Sequence, residues 1–225
     1  MSSDPDGAAE AGGTAQPTGP PYRALDHARP YQGKLLTVRV DRLAGPGGST
    51  TREVVEAHGA VAGLAVDEQG RVLLVEQWRN AAGARLVEVA AGQYDVSGEP
   101  VEAALHRELA EELRVEGGAV TWLASVYTTP GWSDEVCDLF LVEGVRPLHD
   151  RVPGGDWGQW EEADLRVLRL GFEEALALAA TPPGDAKTLL ALALYGLMRA
   201  GVWTPDQAGR PLPDAPARRA ARRPA

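Results

Sequence analysis

The chain has 225 residues and a hydrophobic share of 44%, enough for one sizeable core with flanking segments. Its 32 acidic residues against 22 basic ones leave a formal net charge of −10, which argues against sequence-independent binding to nucleic acid. A single cysteine, Cys137, excludes an internal disulfide framework and suits a reducing cytoplasm. No apolar run is long enough to span a bilayer, and no basic-then-apolar segment opens the chain, so neither a membrane span nor a signal peptide is expected.

Residues 1–21 are rich in Gly, Ala, Ser, Thr, Pro and Asp without apolar periodicity, which predicts a disordered tail. An N-terminal strand region is expected over 22–57. Within it, 34–42 alternates Leu36, Val38 and Val40 with polar neighbours, as a half-buried strand does. The glycines between Gly45 and Gly48 make a turn, and 51–57 returns as the antiparallel partner. The main domain is expected over 58–205. It begins with strands over 59–66 and 71–77 around Asp67-Glu68-Gln69-Gly70, and a shorter one over 85–89. A helix follows within 99–115, with Pro100 suited to its first turn. Strands over 121–128 and 135–143 flank the turn Thr129-Pro130-Gly131, and a last one covers 165–170. Helices are predicted over 171–179 and 185–200, the second with Leu189, Leu192 and Leu197 on one stripe. Residues 206–225 read as a flexible tail. Strands on both sides of one helix, then helices, predict an α+β fold. The expected form is an α/β/α sandwich, with a mixed sheet between helices and an antiparallel hairpin region at the N-terminus.

The chemistry concentrates in the predicted helix, E-P-V-E-A-A-L-H-R-E-L-A-E-E-L-R-V from Glu99 to Val115. Glu108, Glu111 and Glu112 directly follow Arg107, and on a helix positions i, i+3 and i+4 share one face. Carboxylates crowded in this way repel, so a cation is expected against them. A hard divalent ion with oxygen ligands fits best: Mg²⁺, with Mn²⁺ as a substitute.

This stretch resembles the Nudix box, G-x5-E-x7-R-E-U-x-E-E-x-G-U with U aliphatic. Glu99, then seven residues, then Arg107-Glu108-Leu109-Ala110-Glu111-Glu112-Leu113, then Val115, match it. Two positions depart. The opening glycine is Gly92, separated from Glu99 by six residues instead of five, and the late glycine is replaced by Arg114. The first is an insertion in a loop, where insertions are tolerated. The second lies where a helix end often wants a left-handed backbone. Nudix hydrolases cleave a nucleoside diphosphate linked to another group. The resemblance implies Glu108 and Glu112 as metal ligands and Glu111 as a further ligand or supporting catalytic group. Glu99 and Arg107 would be structural, orienting helix and loop.

Flanking stretches narrow the resemblance to the ADP-ribose pyrophosphatases. Glu88-Val89-Ala90-Ala91-Gly92 resembles their E-L-P-A-G, which assigns Glu88 to the substrate's surroundings and the Ala91 carbonyl to the metal; Ala90 replaces the usual proline. Gln77-Trp78-Arg79 resembles Q-Y-R, whose arginine binds substrate. Thr129 to Glu135 resembles S-P-G-F-S-D-E and puts Gly131 and Glu135 beside the substrate. Pro130 falls 15 residues after Val115, where a proline marks this subgroup. Glu161-Glu162-Ala163-Asp164 resembles E-E-A-D, making Glu162 the general base and Glu161 its alternate. A base needs a carboxylate within hydrogen-bond reach of the attacking water.

The implied reaction is hydrolysis of ADP-ribose to AMP and ribose 5-phosphate, in a homodimer built from the N-terminal strands. The alternatives are a pyrophosphatase for another nucleoside diphosphate derivative (a nucleotide sugar or dinucleotide) and a Nudix-fold ligand sensor without catalysis. A sensor is expected to have lost metal carboxylates, and none is lost here. His27, His58, His106 and His149 form no zinc pattern, and Cys137 reads as a small core residue. Of six tryptophans, Trp132 and Trp160 are best placed to stack on a base, although core or loop packing is the better reading of any single tryptophan.

Overall fold

The computed structural model describes residues 22–94, 96, 98–149 and 164–205. The tails expected at 1–21 and 206–225, together with Trp160, Glu161 and Glu162, lie outside the described residues.

The N-terminal segment folds as an antiparallel three-stranded sheet in the order β1 (Arg23–Gln32), β2 (Leu36–Gly45), β3 (Gly48–Ala57). The β2–β3 register runs unbroken from Leu36↔Ala57 to Gly45↔Gly48. Gly48 closes that hairpin at φ 106°, a value that favours glycine. The sequence reading had no strand over β1. Almost all of β1 is exposed, so it lacks the buried face that produces alternation. Pro30 sits at the bulge between Ala28 and Tyr31, the kind of place where a strand tolerates a missing donor.

The second sheet has eight strands: β4 (Ala60–Asp67), β5 (Val72–Arg79), β6 (Ala84–Glu88), β7 (Ala90–Gln93), β8 (Val115–Glu116), β9 (Ala119–Tyr127), β10 (Val136–Pro147) and β11 (Arg166–Leu170). Its spine is β11-β5-β4-β10-β8, with β6 on β5, β7 on β4 and β9 on β10. The β4–β10 pair is parallel and the other pairs are antiparallel. Strand β4, A-V-A-G-L-A-V-D, is buried along its whole length, as a central strand covered on both faces must be. Helix α1 (Val101–Leu113) covers one face, with Leu105, Leu109 and Leu113 against Val61, Ala65, Val75 and Phe140. Helices α2 (Phe172–Ala179) and α3 (Ala186–Arg199) cover the other, with Ala175, Ala191 and Leu192 against Leu64, Leu74, Leu139 and Leu141. The result is the α/β/α sandwich expected. Gly63 lets α1 lie close, since a Cβ there would fall 2.7 Å from Leu105 Cδ1.

One detail of the sheet positions the site. Strands β4 and β5 pair directly only at Ala65↔Leu73 and Val66↔Val72. Beyond that they part, and the extended chain 84–93 fills the gap. It pairs first with β5 as β6 and then with β4 as β7, changing partner at Val89. No described helix is long and apolar enough to cross a membrane.

Candidate active site

In β5, Val75, Gln77 and Arg79 alternate onto the face that α1 covers. Glu88, at the end of β6, is paired with Val75 and joins that face. It is only 3% exposed, so its carboxylate needs partners. Gln77 Nε2 donates to Glu88 Oε2 at 2.9 Å and Arg79 Nε donates to the same oxygen at 2.7 Å. The Arg79 guanidinium is thereby aimed by a buried pair and still 38% exposed at its outer side.

Helix α1 carries the other half. Arg107 Nε and Nη2 donate to Glu99 Oε1 and Oε2, both at 3.1 Å, a fork-to-fork pair. Its Nη1 donates to Glu108 Oε1 at 2.6 Å and to Glu111 Oε2 at 3.4 Å. The Glu99 hydrogen bonds foremost, then the Glu108 charge, push the guanidinium pKa further up against the effect of burial. Part of the cation demanded by the crowded carboxylates is therefore Arg107 itself, and Glu111 goes with it. Glu112 points elsewhere: its Oε2 accepts the Ala91 N–H at 3.0 Å. Burial pushes its pKa up to about 8, the Glu108 and Glu88 charges acting the same way and the Ala91 N–H and Arg79 against it.

Gly92 is required by closeness, not by backbone torsion. A Cβ on it would overlap the Glu108 carboxylate, which lies against this strand. The inserted residue before Glu99 thus leaves the glycine beside the helix glutamates. Arg114 occupies the left-handed region at φ 57°, ψ 46°, its N–H donating to Leu109 O. It is the only non-glycine with positive φ among the described residues.

These residues suit a hard divalent cation. Glu108 and Glu112 stand one helical turn apart, the first buried and the second half-buried, with the main chain of Ala91 and Gly92 pressed against them. A carboxylate pushed up by burial gains from a cation beside it. Among the described residues no three His, Cys, Asp or Glu side chains gather at metal-holding range. The donor set would be the two glutamates and the Ala91 carbonyl, completed by water and phosphate oxygens, a composition typical of small hard cations.

The remaining candidates form a second group. Gly131 lies in a turn closed by the Trp132 and Ser133 N–H groups on Thr129 O, at 3.1 and 2.9 Å. Glu135 takes the Thr128 hydroxyl at 2.6 Å on Oε2. The whole loop is docked on β3. Val55 N–H donates to Trp132 O at 2.7 Å, Asp134 N–H to Val55 O at 3.2 Å, and Ala57 N–H to Asp134 Oδ1 at 3.0 Å. Trp132 is largely exposed. Asp164, the last residue of the E-E-A-D run, accepts the Trp78 N–H at 2.9 Å and also bonds Arg85. It ties the end of that run to the strand carrying Arg79.

Four residues with roles here were not singled out from the sequence: Gln77, Asp134, Asp164 and Thr188. The first three lay inside recognised runs, and strand parity with Arg79 would have pointed to Gln77. Thr188 lies three residues after Asp185, an N-cap spacing. Its hydroxyl takes the Val89 N–H at 2.8 Å.

A model of the NUDIX domain matches residues 56–192. The ADP-ribose pyrophosphatase of Mycobacterium tuberculosis is 37% identical over 159 residues, covering 66% of this chain and 76% of that protein. The ADP-ribose pyrophosphatase of Bacillus subtilis is 33% identical over 172 residues, covering 76% of this chain and 90% of that protein. A crystal structure described as an ADP compounds hydrolase superposes with a TM-score of 0.66 at 20% identity, over 81% of this chain and 97% of its own, a likeness of fold. With its box helix, its paired glutamates and these relatives, the chain belongs to the Nudix family.

Proposed function

We propose that this protein hydrolyses the pyrophosphate of ADP-ribose, giving AMP and ribose 5-phosphate, with Mg²⁺ as the metal and Mn²⁺ as a substitute. Nudix hydrolases in general use divalent metal ions. The observation that carries the reading is the meeting of Glu108 and Glu112 with the Ala91–Gly92 main chain, in the same field as Arg79 and Glu88. The names of the two relatives support the substrate.

Glu108, Glu112 and the Ala91 carbonyl would hold the ion. When bound there it would neutralise phosphate oxygens and make a nearby water more acidic. Arg79 orients a phosphate, since a guanidinium donates two parallel bonds to such a group. Glu88 and Gln77 fix the angle of that arginine. Glu99 and Arg107 hold the helix and its glutamates in register, with Glu111 in support. Gly131 and Glu135 contribute substrate contacts from the docked loop. Glu162 removes the proton from the attacking water, with Glu161 the alternate. The N-terminal sheet joins two copies into a homodimer, and the lone buried thiol Cys137 suits a cytoplasmic setting.

The test is product analysis against ADP-ribose, nucleotide sugars, dinucleotides and nucleoside triphosphates, with and without Mg²⁺, beside Glu112→Gln. The expected result is Mg²⁺-dependent AMP release from ADP-ribose, lowered on the order of 10³-fold in Glu112→Gln, several kcal/mol of barrier. Turnover of another nucleoside diphosphate derivative alone would replace the substrate. No turnover of any compound would replace catalysis with ligand sensing.

A further inference from the structure

We infer that Thr188 is a positioning residue for the metal-holding strand, acting through the main-chain N–H of Val89. The inference rests on the metal site proposed above and deepens it.

Inside a sheet, each backbone N–H is normally taken by a neighbouring strand. Val89 stands at the place where that supply fails. The last pair with β5 is Val75↔Glu88 and the first pair with β4 is Gly63↔Ala90, so Val89 belongs to neither ladder. Val89 is 1% exposed, and a buried N–H without an acceptor is costly. Its acceptor comes from the opposite layer: Thr188 Oγ1, on a fully buried residue in the first turn of α3.

The hydroxyl is itself aimed. Its proton goes to Asp185 Oδ2 at 2.7 Å, leaving lone pairs for Val89. Asp185 caps the helix by taking the Thr188 N–H at 2.9 Å, and its other oxygen takes Lys187 Nζ at 2.7 Å. The chain Lys187–Asp185–Thr188–Val89 thus anchors the strand switch to α3.

Both halves of the site hang from that anchor. One residue before Val89 is Glu88, which holds Arg79. Two residues after it is Ala91, whose N–H donates to Glu112, followed by Gly92 under Glu108. Peptide planes are rigid, so a rotation at Val89 displaces both the arginine holder and the metal strand. Thr188 therefore fixes the spacing between them.

The test is Mn²⁺ binding by electron paramagnetic resonance, without substrate, to the full native chain and to Thr188→Val, Thr188→Ser, Leu192→Ala and Glu112→Gln. Thr188→Val keeps the shape and removes the acceptor. It is expected to weaken Mn²⁺ binding about tenfold or more, the usual effect of losing a group that orients a ligand. Thr188→Ser is expected to restore native affinity. Leu192→Ala, which empties core volume in the same helix, is expected to bind as the native chain does. Native affinity in Thr188→Val, or equal loss in Leu192→Ala, overturns the inference. Unchanged binding in Glu112→Gln refutes the metal site first and the inference with it. Should Thr188→Val not fold, a Mg²⁺ titration of the native protein decides by amide resonances. Val89 and Ala91 are expected to shift with one dissociation constant, and a shift of Ala91 alone overturns the inference.

Discussion

At the residue scale, two positions of the box show how a local rule can be kept or bent. Gly92 is glycine because the Glu108 carboxylate occupies the space of a Cβ. Gly92→Ala should therefore push the carboxylate aside without straining the backbone, since the torsions there are not left-handed. The expected outcome is a fall of about 10–100-fold in kcat/KM and in Mn²⁺ affinity, with a melting temperature close to native. Arg114 is the reverse case, a side chain held in the left-handed region that glycine occupies freely. Arg114→Gly should raise stability by about 0.5–1 kcal/mol, measured by urea unfolding, and leave turnover unchanged. The stretches that bring Glu108, Glu112, Ala91, Arg79 and Glu88 together stood out through a motif resemblance. The hydrogen-bond partners of the box side chains did not. That Arg107 serves Glu99, Glu108 and Glu111 while Glu112 turns to a backbone N–H depends on rotamers, which no spacing encodes.

At the element scale, what could be read followed the strength of the pattern. Helix α1 and strands β4 and β5 carry long, unambiguous periodicity or burial, and each was anticipated. Strand β7, A-A-G-Q, has no bulky side chain to generate a pattern, and it is a strand because β4 offers an open edge beyond Leu64. Strand β1 lacks a buried face and escaped for that reason. The N-terminal sheet instead encodes its packing in charge. Glu56 is nearly buried and takes Arg29 Nε at 2.8 Å and Arg39 Nη1 at 2.6 Å, while Arg39 also holds Asp41 at 2.7 Å. The Arg29 hydrogen bond foremost, with Arg39 in support and burial opposing, lowers the Glu56 pKa to about 2 from 4.5. A carboxylate with a depressed folded-state pKa contributes stability that is present above its unfolded value and lost as pH falls through the folded one. The melting-temperature gap between the native chain and Glu56→Gln should be widest above pH 4.5, narrow between 4.5 and 2, and close below 2. A gap that persists unchanged at the acid end would mean that the network does not depend on the Glu56 charge.

At the scale of the whole molecule, the three-stranded sheet is the part least accounted for by a single copy of the chain. Strand β1 lies at one end of the sheet order, and an exposed edge of that length is a liability that proteins cover or pair. Around it Tyr22, Leu25, Tyr31, Leu35 and Leu36 are exposed, with Tyr31 at 57% and Leu35 at 62%. Apolar side chains gathered on one module mark a contact surface more often than those scattered singly. The same module grips the loop bearing Gly131 and Glu135 through Val55, Ala57 and Asp134. A partner seated on this sheet would therefore lean on the substrate loop as well. The chain carries a net charge of −10, so two copies repel, and apolar contact has to outweigh that repulsion. This gives the proposed homodimer a salt signature: sedimentation velocity should show a dimer that tightens as salt rises and screening improves. Tyr31→Glu combined with Leu35→Glu should yield a folded monomer by circular dichroism. If both subunits complete each site, that monomer should also lose ADP-ribose turnover. A native protein that sediments as a monomer at every salt concentration would remove the dimer from the proposed function and leave the chemistry of the α1 glutamates untouched.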